Sequence, residues 1–226
     1  VSRIYDDLYV SDDDLETVDL SSLTQVDDFA DIKGASLLSI ELPNLTNVGG
    51  TCELSGYSAT SVDLPVLEEA NKLVLTDLWA STIDLPMFES GSLTVSECHN
   101  LTSLSAPVFE DTKDIYGIRI SDNPSIISVD LSQLKTVAAS IGADIEVYNN
   151  PSLVDLDLAS LEMTDGLFVY ENDSLVTFAA PLLENSDWLT EFEIHNNHSL
   201  TTIELPMVDD TTNSWGDNAI INISFN

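Results

Sequence analysis

The chain repeats one short phrase at a nearly constant interval. In its C-terminal half the phrase reads IEVYNNPSLVDLDL from Ile145, LFVYENDSLVTFAAP from Leu167 and FEIHNNHSLTTIELP from Phe192. Each copy holds a short apolar strand, an Asn-rich turn, a Ser-Leu step and a second strand. A fixed interval of this kind is typical of repeat architectures, in which one unit cannot bury its apolar face alone and stacks on its neighbours.

The second strand of the phrase sets the period, because its apolar doublet recurs every 21–27 residues. The doublets are Val18/Leu20, Ile40/Leu42, Val62/Leu64, Ile83/Leu85, Leu104/Ala106, Val129/Leu131, Leu156/Leu158, Phe178/Ala180 and Ile203/Leu205. Corresponding strands lie one full period apart, so stacking in register pairs each strand with its own copy in parallel, about 4.8 Å away. We therefore predict an all-β fold, a right-handed parallel β-solenoid of leucine-rich repeats with about nine coils of 21–27 residues. It forms a single repeat domain over residues 1–226, whether alone or within a longer chain.

The Asn-rich turn allows two interpretations. Asn123, Asn150, Asn172 and Asn197 all lie three residues after the inner residue of the first strand. An inward amide there could bond the backbone of the neighbouring coil. Asn also tolerates left-handed corners better than most residues. We favour the second interpretation, because such turns are common.

The motifs LSIELPNLTNVGG at 38–50 and VYNNPSLVDLDLASL at 147–161 carry a family resemblance that covers nearly the whole chain. They resemble receptor-L-domain-like leucine-rich solenoids. More narrowly, they are similar to the repeats of fungal GPI-anchored cell-wall glycoproteins of the extracellular-matrix and sporulation type. The resemblance implies a secreted, glycosylated wall protein without catalytic residues. A bacterial, archaeal or protist surface protein with similar repeats is equally compatible.

The chain is strongly acidic, with 40 Asp and Glu against 6 Lys and Arg and a formal net charge of −34. It is not disordered on that account, because 43% of its residues are hydrophobic and the repeats are regular. Nucleic acid is excluded as a partner class, since it requires the opposite charge. Many acids alternate with the inward residues of the second strand: Asp19, Glu41, Asp63, Asp84, Asp130, Asp157 and Glu204.

Three explanations of the acid excess remain open. They are high-salt adaptation or simple solubility, diffuse binding of divalent cations by a surface coat, and a specific calcium site. We favour a solvated face, which is the usual meaning of charge runs. Asp12, Asp13 and Asp14 form the tightest cluster and are weak calcium candidates, but no EF-hand or glycine-aspartate repeat is present. We predict no dedicated metal site and no cofactor.

Five Asn-X-Ser/Thr sequons make N-glycosylation the clearest chemical prediction. They begin at Asn44, Asn100, Asn172, Asn197 and Asn222. The first four lie in turns, where a bulky glycan can be accommodated. We expect at least two to be occupied if the protein passes through a eukaryotic secretory route.

Cysteines and catalytic motifs add little. Cys52 and Cys98 lie at non-equivalent positions about two stacking steps apart, roughly 9–10 Å, so we expect no disulfide and two free, half-buried thiols. No apolar stretch approaches the ~20 residues of a membrane span, so this segment is not predicted to enter a membrane. No nucleophile elbow, phosphate loop or dinucleotide fingerprint is present, and we predict no catalytic residues.

These observations predict a non-enzymatic extracellular protein of the cell surface or cell wall, a glycoprotein with a structural or adhesive role. Its partners would be other cell-surface proteins or polysaccharides. One alternative is a subunit of a self-assembling extracellular fibre, a homo-oligomer or filament joined end to end through open ladder edges. Another is a receptor ectodomain that binds a ligand or carbohydrate.

Overall fold

A computed structural model of the chain describes residues 1–112, 117–137, 143–184 and 191–206, and the backbone of 220–223. The described residues form 23 β-strands and no helix. The strands of the first half are β1 Arg3–Ile4, β2 Leu8–Ser11, β3 Gln25–Val26, β4 Ala30–Lys33, β5 Ser39–Glu41, β6 Asn47–Ser55, β7 Ser61–Asp63, β8 Glu69–Thr76, β9 Thr82–Asp84, β10 Ser90–Ser96, β11 Ser103–Ser105 and β12 Asp111–Thr112. Those of the second half are β13 Ile118–Ser121, β14 Ser128–Asp130, β15 Thr136–Val137, β16 Asp144–Tyr148, β17 Asp155–Asp157, β18 Met163–Thr164, β19 Gly166–Tyr170, β20 Thr177–Ala179, β21 Glu191–His195, β22 Thr202–Glu204 and β23 Ile220–Ile223.

Every described strand pairing is parallel, and each strand pairs with its own copy in the next coil. β13, β16, β19, β21 and β23 follow one another along one ladder, so Ile118 lies over Ile145, which lies over Leu167. On a second side of the coil, β9, β11, β14 and β17 form a separate sheet, with Ile83 next to Leu104. The predicted all-β parallel solenoid is confirmed.

The solenoid has about eight turns, close to the nine predicted. The described part of the chain contains eight copies of the second strand: β5, β7, β9, β11, β14, β17, β20 and β22. The first doublet, Val18/Leu20, is only partly buried and forms no strand. A short strand is stabilised by hydrogen bonds to its ladder partners. On this side the ladder of described strands begins at β5, so the Val18/Leu20 segment is not part of it.

A third, short ladder was not predicted. It is formed by β1, β3, β12, β15, β18 and the N-terminal parts of β6, β8 and β10. Only one residue per coil points inward there, such as Val26, Val48 and Ala70, so the sequence shows no alternation from which to recognise a strand. Within β10, where the register against β8 shifts between Ser90 and Ser92, Gly91 adopts φ +126°, and an added Cβ would lie 1.7 Å from the carbonyl oxygen of Ala70.

The coils enclose one continuous apolar core that runs along the solenoid axis. Columns of like residues fill it, for example Leu73, Leu93 and Ile118 on the first side. Phe88 and Phe109, on successive coils, pack against each other inside the core with ring centroids 5.1 Å apart. Each such side chain contributes about 1.5–3 kcal/mol through burial.

The corner after the first strand is closed by a ladder of buried asparagines. Asn123, Asn150, Asn172 and Asn197 are at most 5% exposed. The Oδ1 of each accepts the backbone N–H of the corner residue one coil earlier, so that Asn123 N–H donates to Asn150 Oδ1 at 3.1 Å. Each Nδ2 donates to a strand carbonyl of that earlier coil, as Asn150 does to Ile120 at 2.9 Å. The side chain thereby satisfies two backbone groups that the turn leaves unpaired and buried.

The favoured interpretation of these asparagines is therefore wrong. The left-handed conformation belongs to the residue that precedes each of them. Six described residues at this corner have φ between 54° and 60°, and the last four of them precede a ladder asparagine: Asp77, Glu97, Asp122, Asn149, Glu171 and Asn196. The ladder asparagines instead serve as hydrogen-bonding groups, which is the first and less favoured of the two interpretations.

Cys98 occupies the asparagine position of its own coil. Its backbone N–H donates to Asn123 Oδ1 at 3.0 Å, as the ladder requires. Its thiol accepts the N–H of Leu78 and lies 3.8 Å from the carbonyl oxygen of Leu75, the two groups that an amide would bond. A thiol is a weak donor and acceptor, so the ladder is weakest at this end.

Removing one ladder amide should destabilise the fold strongly. In Asn150→Ala the N–H of Asn123 and the carbonyl of Ile120 lose their partners while buried, at a cost of roughly 1–3 kcal/mol for each group. We expect the free energy of unfolding, measured with urea, to fall by roughly 2–5 kcal/mol. The control is Asn100→Ala in an exposed turn, which should change it by less than about 0.5 kcal/mol. Equal effects of the two variants would contradict the ladder.

Completing the ladder should stabilise the protein. Cys98→Asn replaces a weak thiol contact with an amide that can donate to Leu75 and accept from Leu78, and we expect a gain on the order of 1 kcal/mol. The same exchange at Cys52, which lies in the apolar column between Ala30 and Leu73, should destabilise because it buries an unpaired amide. Thermal denaturation of both variants checks this, and a lower midpoint for Cys98→Asn would refute the equivalence.

Candidate functional surfaces

The outer face of the second-strand sheet carries two polar columns, one on each side of the inward residue. In register along one column lie Thr82, Ser103, Ser128 and Asp155, and along the other Asp84, Ser105, Asp130 and Asp157. The predicted outward acids are all exposed or half-exposed here. Neighbouring coils are about 4.8 Å apart, so this face is a regular array of hydroxyls and carboxylates.

Several of these acids also close the turn that follows the strand. Oδ1 of Asp130 accepts the backbone N–H of Ser132 at 3.0 Å, and Oδ1 of Asp157 accepts that of Ala159 at 3.0 Å. Asp19 does the same with Ser21, whose hydroxyl also donates to it. The Ser21 hydroxyl and then its N–H hold the pKa of Asp19 below its ordinary value. Part of the acid excess therefore has a structural role that charge counting could not distinguish from a functional one.

The few cations bridge successive coils. Four ion pairs each join a basic residue to an acid one coil away: Arg3–Asp27 at 2.9 Å, Lys33–Glu53 at 2.9 Å, Arg119–Glu146 at 2.8 Å and Lys135–Glu110 at 3.3 Å. The basic side chains are 39–50% exposed, so solvent screening makes each pair a weak contribution to stability. Six cations cannot neutralise 40 acids, and solvent cations must screen the remainder.

One group of carboxylates lies on the first-strand side. Asp144 stands next to Gly166 in the ladder. Burial, and then the negative charges of Glu146, Asp165 and Glu191, raise the pKa of Asp144. Asp165 is itself buried and accepts the N–H of Ala143 at 3.1 Å through Oδ2. Carboxylates with raised pKa values can mark functional sites, but repulsion within a densely acidic coil is a sufficient cause here.

An aromatic column lies on the outer face of the first-strand ladder. The rings of Tyr148 and Tyr170 stack at 4.9 Å, and Tyr170 and His195 stack at 5.0 Å, nearly parallel in both pairs. The three residues are in register on β16, β19 and β21. Sequence reasoning missed this column, although the phrases VYNNPSL, VYENDSL and IHNNHSL place the three rings at one position of the repeat.

An open groove of about 420 Å³ runs along the left-handed corner. Glu97, His99, Asp122 and Asn149 line it, together with Pro124 and Pro151. His99 Nδ1 lies 2.8 Å from the carbonyl oxygen of Glu97, so Nδ1 carries the hydrogen and Nε2 is left for other contacts. Asn149 Nδ2 donates to Asp122 Oδ1 at 2.6 Å. The groove therefore presents mainly acceptors, which suits hydroxyl-rich or cationic molecules.

The calcium candidates do not converge. Asp12 Oδ1 accepts the N–H of Asp14 within its own turn, and Asp13 Oδ1 accepts the N–H of Ala35. Among the described residues the one carboxylate cluster compact enough for a single ion is instead Asp6, Asp7 and Asp28, in which all three residues are exposed. Sequence separation hid it, because Asp28 comes from the following coil.

The structure separates the sequons into two kinds. Asn44 and Asn100 lie in exposed turns. Asn172 and Asn197 are ladder residues, and their Nδ2 atoms, which would carry a glycan, donate to buried carbonyls of Val147 and Val169. The placement of these two in accommodating surface turns was wrong. Asn222 is on β23, and its side chain lies outside the described residues.

Both cysteines are free, and both are fully buried rather than half-buried as expected. They occupy non-equivalent positions, as predicted: Cys52 is in the strand column and Cys98 in the corner ladder. Burial raises the pKa of each thiol to about 12. Neither thiol is a nucleophile at neutral pH.

No family model, no curated protein and no solved structure matches the chain. The resemblance of its motifs to receptor-L-domain-like solenoids stays a prediction, and the parallel β-solenoid is what the coordinates establish. No helix in the described ranges is long and apolar enough to cross a membrane.

Neutralising Asp144 should stabilise the fold at neutral pH. Its folded pKa is raised, so stability is lost as the pH rises from below the ordinary carboxyl pKa through the raised folded value. Asp144→Asn should therefore raise the midpoint of unfolding at pH 7, and the gain should shrink toward acid pH. Asp155→Asn removes the same charge at an exposed position and serves as control. A gain for Asp144→Asn that is independent of pH would contradict this account.

Salt should stabilise the whole solenoid. Raising NaCl from 0.01 to 1 M shortens the Debye length from about 30 to about 3 Å, which screens acids on neighbouring coils. We expect the thermal midpoint to rise steadily over this range, and to rise less in the variant Asp63→Asn/Asp84→Asn. A midpoint that is unchanged by salt would show that the carboxylate columns do not repel one another appreciably.

Proposed function

We propose that this chain is a non-enzymatic extracellular protein of the cell surface or cell wall, with a structural or adhesive role. The observation that supports this most is the repetition of one outer face over successive coils around a continuous core. Register carries Asp84, Asp130 and Asp157 along one line. A rod that presents the same groups many times is suited to multivalent contact, in which weak sites add to a large avidity.

The chemistry of that face limits the partners. Carboxylates and hydroxyls outnumber cations, and hydroxyls of polysaccharides or amines of basic surface proteins are the complementary groups. Divalent cations shared between carboxylates would join this protein to other acidic wall components, because calcium prefers several carboxylate oxygens. This coat-like binding is diffuse and does not require one preformed site.

Labelling of the intact source cells tests the proposal. Antibodies raised against the folded chain should stain unpermeabilised cells, and a chelator wash should release part of the protein if divalent cations join it to the wall. Staining that needs permeabilisation would contradict the extracellular role. Binding of the purified chain to isolated wall polysaccharide, with an unrelated acidic globular protein as control, then separates adhesion from mere location.

The first coil favours a second candidate, a subunit of an extracellular fibre. Ile4, Leu8 and Val10 lie in the columns of the core but are only partly buried. Among the described strands β1 pairs only with β3 and β2 only with β4, so a further strand, from this chain or from a second copy, can pair with them. Contact with a second copy would also bring acids such as Asp6 and Asp7 together.

Assembly through this end should therefore need screening of charge. Sedimentation velocity should detect oligomers of the purified chain at 1 M NaCl and monomers at 0.01 M. Monomers at both concentrations would remove the fibre candidate without affecting the proposed surface role.

The acceptor-lined groove beside His99 favours the third candidate, a receptor ectodomain for a carbohydrate. A glycan array at physiological calcium checks it, with Asp122→Ala as the variant expected to lose a specific signal. An array that stays silent would remove this candidate.

A further inference from the structure

Resting on the proposed extracellular role, we infer that N-glycans are confined to Asn100 and Asn44, and that the folded protein carries none at Asn172 and Asn197. All four positions satisfy the same sequence rule. What separates them is how the fold uses the side-chain nitrogen, the atom that forms the bond to sugar.

Asn100 is an exposed acceptor. It lies in an exposed turn after Cys98, and its amide makes no hydrogen bond within the described part of the chain. The Thr102 hydroxyl of the same sequon donates to the carbonyl of Ser81 at 2.9 Å, which fixes the turn without using the asparagine. A glycan here projects from the corner into solvent.

Asn44 is the second acceptor, in the turn after the second strand. Its side chain is exposed, and Nδ2 makes one solvent-facing hydrogen bond to the carbonyl of Ser21 at 2.7 Å. Such an exposed bond is readily replaced by water, so a glycan costs the fold little at this position.

Asn172 and Asn197 cannot carry a glycan in the folded state. Asn172 is fully buried, its Oδ1 accepts the N–H of Asn150 and its Nδ2 donates to Val147. A sugar on Nδ2 would have to occupy the space of the neighbouring coil, about 4.8 Å away. Transfer to the nascent chain at these sites would therefore produce molecules that cannot close the ladder and do not reach the folded, secreted pool.

The reaction itself is ordinary group transfer. Asn Nδ2 bonds to the anomeric carbon of an oligosaccharide, the bond from that carbon to the diphosphate of a lipid-linked donor breaks, and the amide proton leaves with the diphosphate. The donor and transferase belong to the secretory route. The chain contributes only an acceptor nitrogen that the fold leaves exposed.

Both acceptors lie at corners of the coil and neither lies on a strand. Asn44 precedes β6, and Asn100 lies between β10 and β11. Neither attachment point belongs to the polar columns of the second strand or to the aromatic column of Tyr148, Tyr170 and His195. Glycans are therefore attached at corners of the coil, and the strand faces are left for contact with partners.

The test uses the full chain with Asn222→Gln, secreted from a eukaryotic host with a flexible tail that bears one additional sequon. Folded secreted protein is treated with glycosidase in heavy-oxygen water, and each peptide is analysed by mass spectrometry. We expect label at Asn100, Asn44 and the tail. Asn44→Gln and Asn100→Gln should each remove the label from one peptide. Thr102→Ser, which keeps the sequon, should remove none.

Label at Asn172 or Asn197 in folded protein would overturn the inference, as would a modified tail with both Asn44 and Asn100 unmodified. Neither result bears on surface location, which the staining of source cells decides separately. Conversely, staining confined to the cell interior would refute the proposed role, while site selection in the secretory host would still hold as a property of the fold.

Discussion

In-register stacking of coils governs this molecule, and the buried asparagine ladder is what makes the stacking specific. Apolar columns alone would permit a coil shifted by two residues, because that shift keeps the inward face inward and places Leu, Ile or Val over one another. The amide of Asn150 does not tolerate it: Oδ1 must meet the N–H of Asn123 while Nδ2 meets the carbonyl of Ile120. A shift would leave both groups unpaired in a dry interior, where the loss is costly. The ladder thus selects one register among several that hydrophobic burial would permit.

The same register determines the surface. Because each outward residue lies over its counterpart, substitutions within the repeat accumulate as columns: Tyr148, Tyr170 and His195 form one stack, and Asp84, Asp130 and Asp157 one acidic line. A globular protein would scatter these residues. Here the acidic composition becomes a long face of carboxylates and hydroxyls. The continuous core and the character of the surface therefore have one origin, and the proposal of a structural or adhesive role rests on both.

Acidity has a cost that the fold partly offsets. Asp130 and Asp157 close their own turns, so their charges also contribute hydrogen bonds. Arg119 and Lys135 reach acids on adjacent coils. Asp144 shows the remaining penalty, since burial and neighbouring carboxylates raise its pKa. Cations from the medium must supply the rest, which links stability to the ionic surroundings.

Periodicity made the fold predictable. The third ladder, the buried asparagines and the carboxylate cluster depended on information that periodicity does not contain. Doublets such as Ile83/Leu85 reveal strands because alternation persists over many copies. The third ladder has one inward residue per coil, as at Val48, and gives no alternating signal. The role of Asn172 was misjudged because turn preference and hydrogen bonding both favour Asn, and only burial tells them apart.

Cys98 was set aside as a lone thiol, although alignment of its phrase with IRISDNPSI places it at the asparagine position. The cluster of Asp6, Asp7 and Asp28 needed the closure of a coil in space.

Amide hydrogen exchange at the corners tests the stacked ladder most directly. The N–H groups of Cys98, Asn123, Asn150 and Asn172 lie in turns, yet each donates to a buried asparagine one coil further on. The account predicts that, by NMR, they exchange as slowly as strand amides such as that of Val147, while the N–H of Ser152 in the same turn exchanges fast. Corner amides that exchange at the rate of Ser152 would contradict it.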